Sequence, residues 1–310
     1  MSGMICREFS FPSATGVCDI SACAYLPETE VHTVLVIHHG MAEHRERYME
    51  FISFLCAAGV AVYMHDMANH GKSNRNTEET GWFGETDGWK KLIEDYRTVV
   101  LRAREEQPGK KLILMGHSMG SFLCRLYVSR YPDDGYTGAI FMGTGGANKA
   151  AGAGILAAKM IGTIKGKKHK SNLLNKMAFG TYNKRFEGRT AFDWLTRDTA
   201  IVDKYIADPN CGYLFTVQGM ADLISVNAAS NDSSWYNAVP KHLPILLVSG
   251  GEDPVGDYGA GVKSVADLLK STGHSNVTLK LYPGCRHEVL NETQRREVME
   301  DLLSWIEKKC

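Results

Sequence analysis

The sequence predicts an α/β fold, with a mostly parallel central sheet, helices on both faces and an inserted helical cap. Three observations lead there. Short apolar runs alternate with longer amphipathic segments, as in parallel strands joined by crossover helices. One such run, Lys111-Leu112-Ile113-Leu114-Met115, ends in Gly116-His117-Ser118-Met119-Gly120, a glycine-flanked serine between a strand and a helix. From about Thr144 to Trp235 helical patches continue without an apolar strand of comparable strength, and that interval is too long for a plain loop.

Taken in order, Ile5 to Phe11, Cys18 to Tyr25 and Thr33 to His38 read as strands, broken by Pro12 and by Leu26-Pro27-Glu28-Thr29. Val34-Leu35-Val36-Ile37 is apolar throughout, which suits a strand buried on both faces. A helix with Met49, Phe51, Ile52, Leu55 and Cys56 on its apolar side stops at Gly59. Ala61 to Met64 makes the next strand and runs into the polar loop Asp66 to Ser73. Trp89, Leu92, Ile93, Tyr96, Val99, Val100 and Ala103 then recur at three and four residue intervals, a helix ended by Pro108-Gly109. Beyond the serine, Met119, Phe122, Leu123, Leu126 and Tyr127 fall at helical spacing. Gly138 to Gly143 is a further strand, and there the alternation stops.

It resumes with the strand Pro244 to Gly250, a helix bearing Val262, Val265, Ala266, Leu268 and Leu269, and the strand Val277 to Tyr282. A last helix is expected from near Asn291, where Asn291 and Gln294 are spaced as a capping box, with Val298, Leu302, Trp305 and Ile306 facing the core. The predicted organisation is therefore a core over 1–144, a helical cap over 145–235 and the second part of the core over 236–310.

Composition narrows the class. Formal net charge is zero, so no global field recommends nucleic acid as a partner. The eight cysteines are scattered, several within apolar segments such as Phe54-Leu55-Cys56-Ala57, which suits buried thiols rather than bridges. No Cys-x-x-Cys spacing suggests zinc. The start lacks a basic region followed by an apolar one, and no apolar run is long enough to span a bilayer. A cytoplasmic location is expected. No oligomeric state can be read from the sequence.

The chemistry starts from Ser118. A serine hydroxyl is a weak nucleophile until a base takes its proton, and the base needs an acid to fix its tautomer. In an open α/β sheet such groups sit just past the carboxyl ends of strands. Asp253 follows one strand through Gly250-Gly251, and His287 follows another through Pro283-Gly284. Glu252 and Asp257 flank the acid position; Asp253 is preferred because Pro254 fixes the turn after it. Among 11 histidines, His287 stands out by its place alone. Backbone amides of Met119 and of Met41, in the loop after His39-Gly40, are expected to bind a developing oxyanion. His38, His39 and His44, or His65, Asp66 and His70, could in principle cluster on a metal, but neither set has a recognised helical spacing. The expectation is no metal and no cofactor.

These residues resemble a known family. His39-Gly40-x-x-Glu43-His44-x-x-Arg47-Tyr48, Asp66-x-x-x-His70-Gly71-x-Ser73, Gly116-His117-Ser118-Met119-Gly120, Gly251-Glu252-Asp253-Pro254-Val255-Gly256 and Gly284-x-x-His287-Glu288 look like the monoacylglycerol lipase and lysophospholipase branch of the α/β-hydrolases. The likeness extends to Phe192 to Asp198 and Asp208 to Tyr213 in the cap. It implies an α/β-hydrolase fold and serine ester hydrolysis of lipids with one acyl chain, with Ser118, Asp253 and His287 as triad. It also implies that Glu43, Arg47 and His117 lie near the glycerol end of the substrate. The alternative for Glu43 and Arg47 is an ion pair that props up the oxyanion loop. One departure is Ala68-Asn69 before His70-Gly71, where the family usually has Arg-Gly. Asparagine tolerates a left-handed backbone better than most residues, so the turn is expected to survive.

Ala150 to Ile164 is mostly small and apolar, and Lys165, Lys167, Lys168, His169 and Lys170 follow. Two readings stand: a helix that makes weak peripheral contact with a membrane, its lysines meeting anionic head groups, or a helix packed on the core that ends in a solvated charged loop. Three functions compete. The leading one is hydrolysis of a small lipid or ester substrate, whether monoacylglycerol-like or a general short to medium chain ester. The second is acyl transfer to an alcohol on the same triad. The third is a binding protein on an inactive hydrolase scaffold, against which the intact triad argues. Epoxide or haloalkane chemistry needs a carboxylate where this chain has serine.

Overall fold

Alternate residues of each inner strand are buried on opposite faces of one sheet, and this sets the architecture. In the computed structural model, which describes residues 4–309, the chain opens with β1 (Met4–Pro12) and β2 (Asp19–Pro27), an antiparallel pair. There follow β3 (Thr33–His38), α1 (Met49–Ala57), β4 (Val60–His65), α2 (Gly88–Glu106), β5 (Lys111–His117), α3 (Met119–Arg130) and β6 (Gly138–Met142). Only helices come next: α4 (Ala151–Lys165), α5 (Asn172–Phe179), α6 (Thr199–Ala207), α7 (Val217–Ser230) and α8 (Ser233–Ala238). The chain closes with β7 (Ile245–Gly250), α9 (Ala260–Ser271), β8 (Val277–Tyr282) and α10 (Arg295–Lys309).

The sheet has eight strands in the order β1-β2-β4-β3-β5-β6-β7-β8. From β4 to β8 every neighbour is parallel, and β2 joins β4 antiparallel. Val34, Val36, Ala61, Tyr63, Leu112 and Leu114 face the layer of α2, α3 and α9. Leu35, Ile37, Val62, Met64, Ile113 and Met115 face α1 and α10. Each fully buried aliphatic side chain contributes about 1.5 to 3 kcal/mol relative to exposure, so a shift of one residue in any inner strand would exchange the two faces at prohibitive cost.

The structure differs from the sequence expectation in two places. α10 begins at Arg295, after a 3-10 turn over Val289–Asn291. Asn291 and Gln294 do not form a capping box: Asn291 Nδ2 donates to Glu288 Oε2 at 2.9 Å, and Gln294 Oε1 accepts from Arg197 at 2.8 Å. Both side chains are spent on fixing the loop before the helix. The second difference lies between β6 and β7, where α7 packs not only against α4 but also against α2 and α3 of the core, burying Val217, Met220, Ala221 and Val226. At the family departure, Asn69 adopts φ 54° and its Nδ2 holds Trp82 O at 2.8 Å. Among the described residues the seven cysteines are free thiols; Cys310 lies outside them.

Candidate active site

The strand-to-helix turn at Ser118 is built by two glycines. Ser118 sits at φ 53°, ψ −121°, a conformation that costs a non-glycine residue about 1 to 3 kcal/mol and persists only where its surroundings over-determine it. Here they do. A Cβ on Gly116 would stand 2.2 Å from Gly120 O, and one on Gly120 would stand 2.2 Å from His38 O. The strand, the helix and the end of β3 therefore close up to backbone contact, and Ser118 N is held by Met142 O at 2.9 Å. Ser118 is left on the wall of a cavity of about 980 Å³ at the carboxyl edge of the sheet.

His287 reaches the same cavity from the loop after β8. Its Nδ1 lies 3.0 Å from both carboxylate oxygens of Asp253, which is wholly buried. The carboxylate has no proton to give in its charged form, so Nδ1 donates and Nε2 is left as the accepting nitrogen. Asp253 is itself held by Ser249 Oγ at 2.9 Å and Val255 N at 2.8 Å. Burial alone would raise its pKa; the facing imidazole and these donors more than offset that and hold the carboxyl below its ordinary value. Glu252 and Asp257, the rivals for this role, are exposed. Gly250 makes the approach of the two loops feasible, since a Cβ there would lie 2.1 Å from Cys285 O.

Met41 and Met119 line the cavity on the other side of Ser118. Met119 is the first residue of α3, where backbone N–H groups have no partner within the helix and the helix dipole favours negative charge. Among the described residues no acceptor takes the N–H of either methionine. The Met41 loop is fixed by Glu43, whose Oε1 accepts from Gly40 N at 2.6 Å.

Glu43 is buried and fully engaged. Besides Gly40 it accepts from Tyr48 Oη at 2.9 Å, His117 Nδ1 at 3.1 Å and Arg47 Nη1 at 2.7 Å. Arg47 in turn makes a two-pronged pair with Glu288 at 2.6 Å on each arm and lies over the ring of Tyr205. Its guanidinium is thus consumed by two carboxylates, and the cavity wall presents Glu43, Glu288 and His117 rather than Arg47. His117 differs: its Nε2 is buried without a partner among the described residues, and its ring centroid is 4.8 Å from that of His287. Burial disfavours the imidazolium, but the bond and charge of Glu43 outweigh it and raise the pKa of His117. Burial likewise acts to raise Glu43, and His117 and Arg47 bring it well below the ordinary carboxylate value.

Sequence reasoning gave no role to Tyr48, Tyr205 or Glu288. The signal for Glu288 was its position directly after His287.

The rest of the cavity is mainly apolar, with Phe122, Phe179, Leu195, Leu223, Ile224 and Val255 on its walls. One side of the 145–235 interval is stitched to the His287 loop. Glu288 N donates to Leu195 O at 2.7 Å, Thr196 Oγ1 to Asn291 O at 2.9 Å, Arg197 Nε to Glu292 Oε2 at 2.9 Å, and Arg286 Nη1 to Asp193 O at 2.6 Å. Trp194 packs against the His287 ring at 5.1 Å. The opposite side, α4 and α5, leaves Leu156, Met160, Ile164, Leu173 and Met177 more than half exposed. The lysines after α4 are occupied within the chain: Lys167 by Glu85, Lys168 by Glu79 and Lys170 by Thr80.

Known proteins resemble this chain over nearly its whole length. A family profile described as Hydrolase_4, serine aminopeptidase S33, matches residues 29–294. A monoacylglycerol lipase of Mycolicibacterium smegmatis is 30% identical, with 96% of each chain covered. Among solved structures, a thermostable carboxyl esterase from Bacillus coagulans in complex with glycerol superposes with a TM-score of 0.92 at 29% identity, covering 99% of both chains. A lipase in an open form gives 0.88 at 29% identity, covering 98% of this chain and 99% of the other.

Proposed function

We propose that this chain, which belongs to the Hydrolase_4 family and is a lipase-like serine hydrolase of α/β-hydrolase fold, cleaves esters carrying a single acyl chain, of monoacylglycerol or lysophospholipid type, through an acyl-enzyme. One observation carries the reading. A buried carboxylate, Asp253, orients the imidazole of His287 on the wall of an apolar cavity that also holds the strained Ser118. The glycerol bound by the Bacillus coagulans relative and the name of the Mycolicibacterium relative favour a glyceride over the peptide that the family description suggests.

In this mechanism His287 Nε2 takes the proton of Ser118 Oγ as the oxygen attacks the ester carbonyl. The N–H groups of Met41 and Met119 receive the oxyanion, each worth about 3 to 4 kcal/mol in measured cases. The C–O bond breaks, the alcohol leaves with the proton from His287, and the acyl group stays on Ser118. Water then repeats the sequence and releases the acid. Asp253 stabilises the imidazolium formed in both halves. His117 Nε2, a buried polar atom without a partner among the described residues, meets the head group, while Glu43 and Arg47 hold the oxyanion loop. The 145–235 interval is the cap, and its exposed apolar side chains on α4 and α5, rather than the paired lysines, supply contact with a lipid surface.

The test is hydrolysis of a chain-length series of monoacylglycerols and p-nitrophenyl esters, dispersed and micellar, beside Ser118→Ala. The expected result is turnover that prefers monoacylglycerols and rises on micelles, falling by about 10³-fold or more in Ser118→Ala with an unchanged unfolding midpoint. Full activity in that variant would refute the mechanism. Equal rates on dispersed and micellar substrate would remove the surface contact alone.

A further inference from the structure

Where the Met41 loop meets the cap, a second cluster forms outside the cavity. His44 Nε2 lies 2.9 Å from Asp208 Oδ2, and with Cys211 Sγ these ligand atoms all fall within 4.8 Å of one another. Among the described residues this is the one group of three metal-ligating side chains that converges in this way. Of the histidines considered from sequence, it uses His44 alone. His39 Nε2 accepts from Met67 N and His70 Nε2 from Ala42 N, so both are committed elsewhere.

The three side chains are brought together by backbone, independently of the bond between two of them. Gly212 N donates to Ala42 O at 3.0 Å, and Tyr205 Oη donates to the same oxygen at 3.1 Å, which binds the cap segment to the loop. Cys211 N is tied to Asp208 O at 3.0 Å, and Asp208 Oδ1 is fixed by Asn210 N at 2.8 Å. Oδ2 is the oxygen left to turn toward a ligand. An imidazole nitrogen, a carboxylate oxygen and a sulfur form a donor set that suits tetrahedral zinc, with one position open to water. Sulfur and nitrogen disfavour magnesium and calcium, which take oxygen. The side chains of His44 and Asp208 are 10% and 32% exposed, so an ion can reach them. Nearby, Glu43, Glu288 and Asp208 set three carboxylates against the single guanidinium of Arg47, an excess of negative charge that favours a cation.

We propose that His44, Asp208 and Cys211 form a binding site for a thiophilic divalent cation of the zinc class. As the sulfur–metal bond forms, the Cys211 thiol proton goes to solvent; His44 binds through Nε2 with its proton on Nδ1, and Asp208 through Oδ2. No electrons move. The His44 to Asp208 hydrogen bond gives way to bonds from both to the ion, at about 2.0 to 2.2 Å, with sulfur at about 2.3 Å. The ion thereby clamps the loop carrying Met41 to the cap. The site shares no residue with Ser118, Asp253 or His287, so it stands or falls apart from the hydrolase reading.

The experiment titrates the EDTA-treated full chain with Zn²⁺ by calorimetry and with Co²⁺ by absorbance, in wild type, Cys211→Ser and His44→Gln. Expected are one Zn²⁺ per chain, a raised melting temperature with Zn²⁺, and a near-ultraviolet sulfur-to-Co²⁺ charge-transfer band. The band disappears in Cys211→Ser, and Zn²⁺ affinity falls by about tenfold or more in each variant. Melting curves in EDTA check that the variants fold, and Asp208→Asn replaces either one that does not. Wild type that takes up no stoichiometric Zn²⁺, or Zn²⁺ uptake undiminished by these substitutions, overturns the proposal.

Discussion

Glu43 receives four donors at the site, and its charge governs the ionisation of His117. The two shifts have opposite signs and a common cause. His117 has a folded value above its unfolded one, so its contribution to stability is complete below the ordinary imidazole range and is lost as pH rises through the raised value. Glu43 is depressed, so its contribution is present above the ordinary carboxylate range and is lost as pH falls through the depressed value. The pair is most stabilising between those limits. In Glu43→Gln the NMR titration midpoint of His117 falls, and turnover drops by about tenfold or more because Gly40 N–H is less firmly held; an unmoved midpoint would contradict this coupling. Part of this candidate site was legible from sequence: the positions read from it include His287, which Asp253 faces at 3.0 Å, and Ser118, Glu43 and His117, which line the same cavity as His287. The pairing of Glu288 was not, because its partner Arg47 is 241 residues away and only the place of Glu288 directly after His287 marks it.

At the scale of elements, the turn around Ser118 tolerates no side chain on its inner glycines. Gly120→Ala puts a Cβ 2.2 Å from a carbonyl oxygen of the neighbouring strand, and neither backbone can retreat. Denaturant unfolding is expected to show a loss of about 3 kcal/mol or more. Gly152→Ala in α4, where a Cβ meets nothing within 4 Å, is the control and is neutral or slightly stabilising. The inner strands were legible because unbroken apolar runs have few other uses; β3 runs over Thr33–His38 as the sequence indicated. The start of α10 was not, since Gln294 answers to Arg197, 97 residues away. The role of α7 was hidden as well. Its apolar residues are as scattered as those of α4, and only contact with α2 and α3 distinguishes it.

For the whole molecule, buried neutral histidines set the response to acid. All four ring nitrogens of His38 and His65 are buried without partners among the described residues. Burial pulls His65 and His70 from 6.5 down to about 3 and lowers His38 well below its ordinary value. Between pH 6.5 and 3 these histidines bind more protons in the unfolded chain than in the folded one, so their contribution to stability rises with pH through that window and falls on acidification; buried Asp95 and Asp222, raised to about 6 and about 7, act in the opposite sense. His65→Phe, which keeps a ring beside Tyr96, should flatten the dependence of the unfolding free energy on pH by about one proton. A slope equal to that of wild type would show that His65 is protonated in the native state. The overall order of strands and helices was legible because alternation is a property of the whole chain, whereas the burial of His38 and His65 at the ends of β3 and β4 and of His70 in the loop beyond has no local sequence signal.

The stitching of residues 193–197 to the His287 loop couples that rim of the cavity to the position of the imidazole. Lifting that strap would drag the imidazole off its carboxylate. Among the described residues no hydrogen bond ties α5 to the His287 loop, so a displacement of that flank would leave the imidazole and its carboxylate aligned.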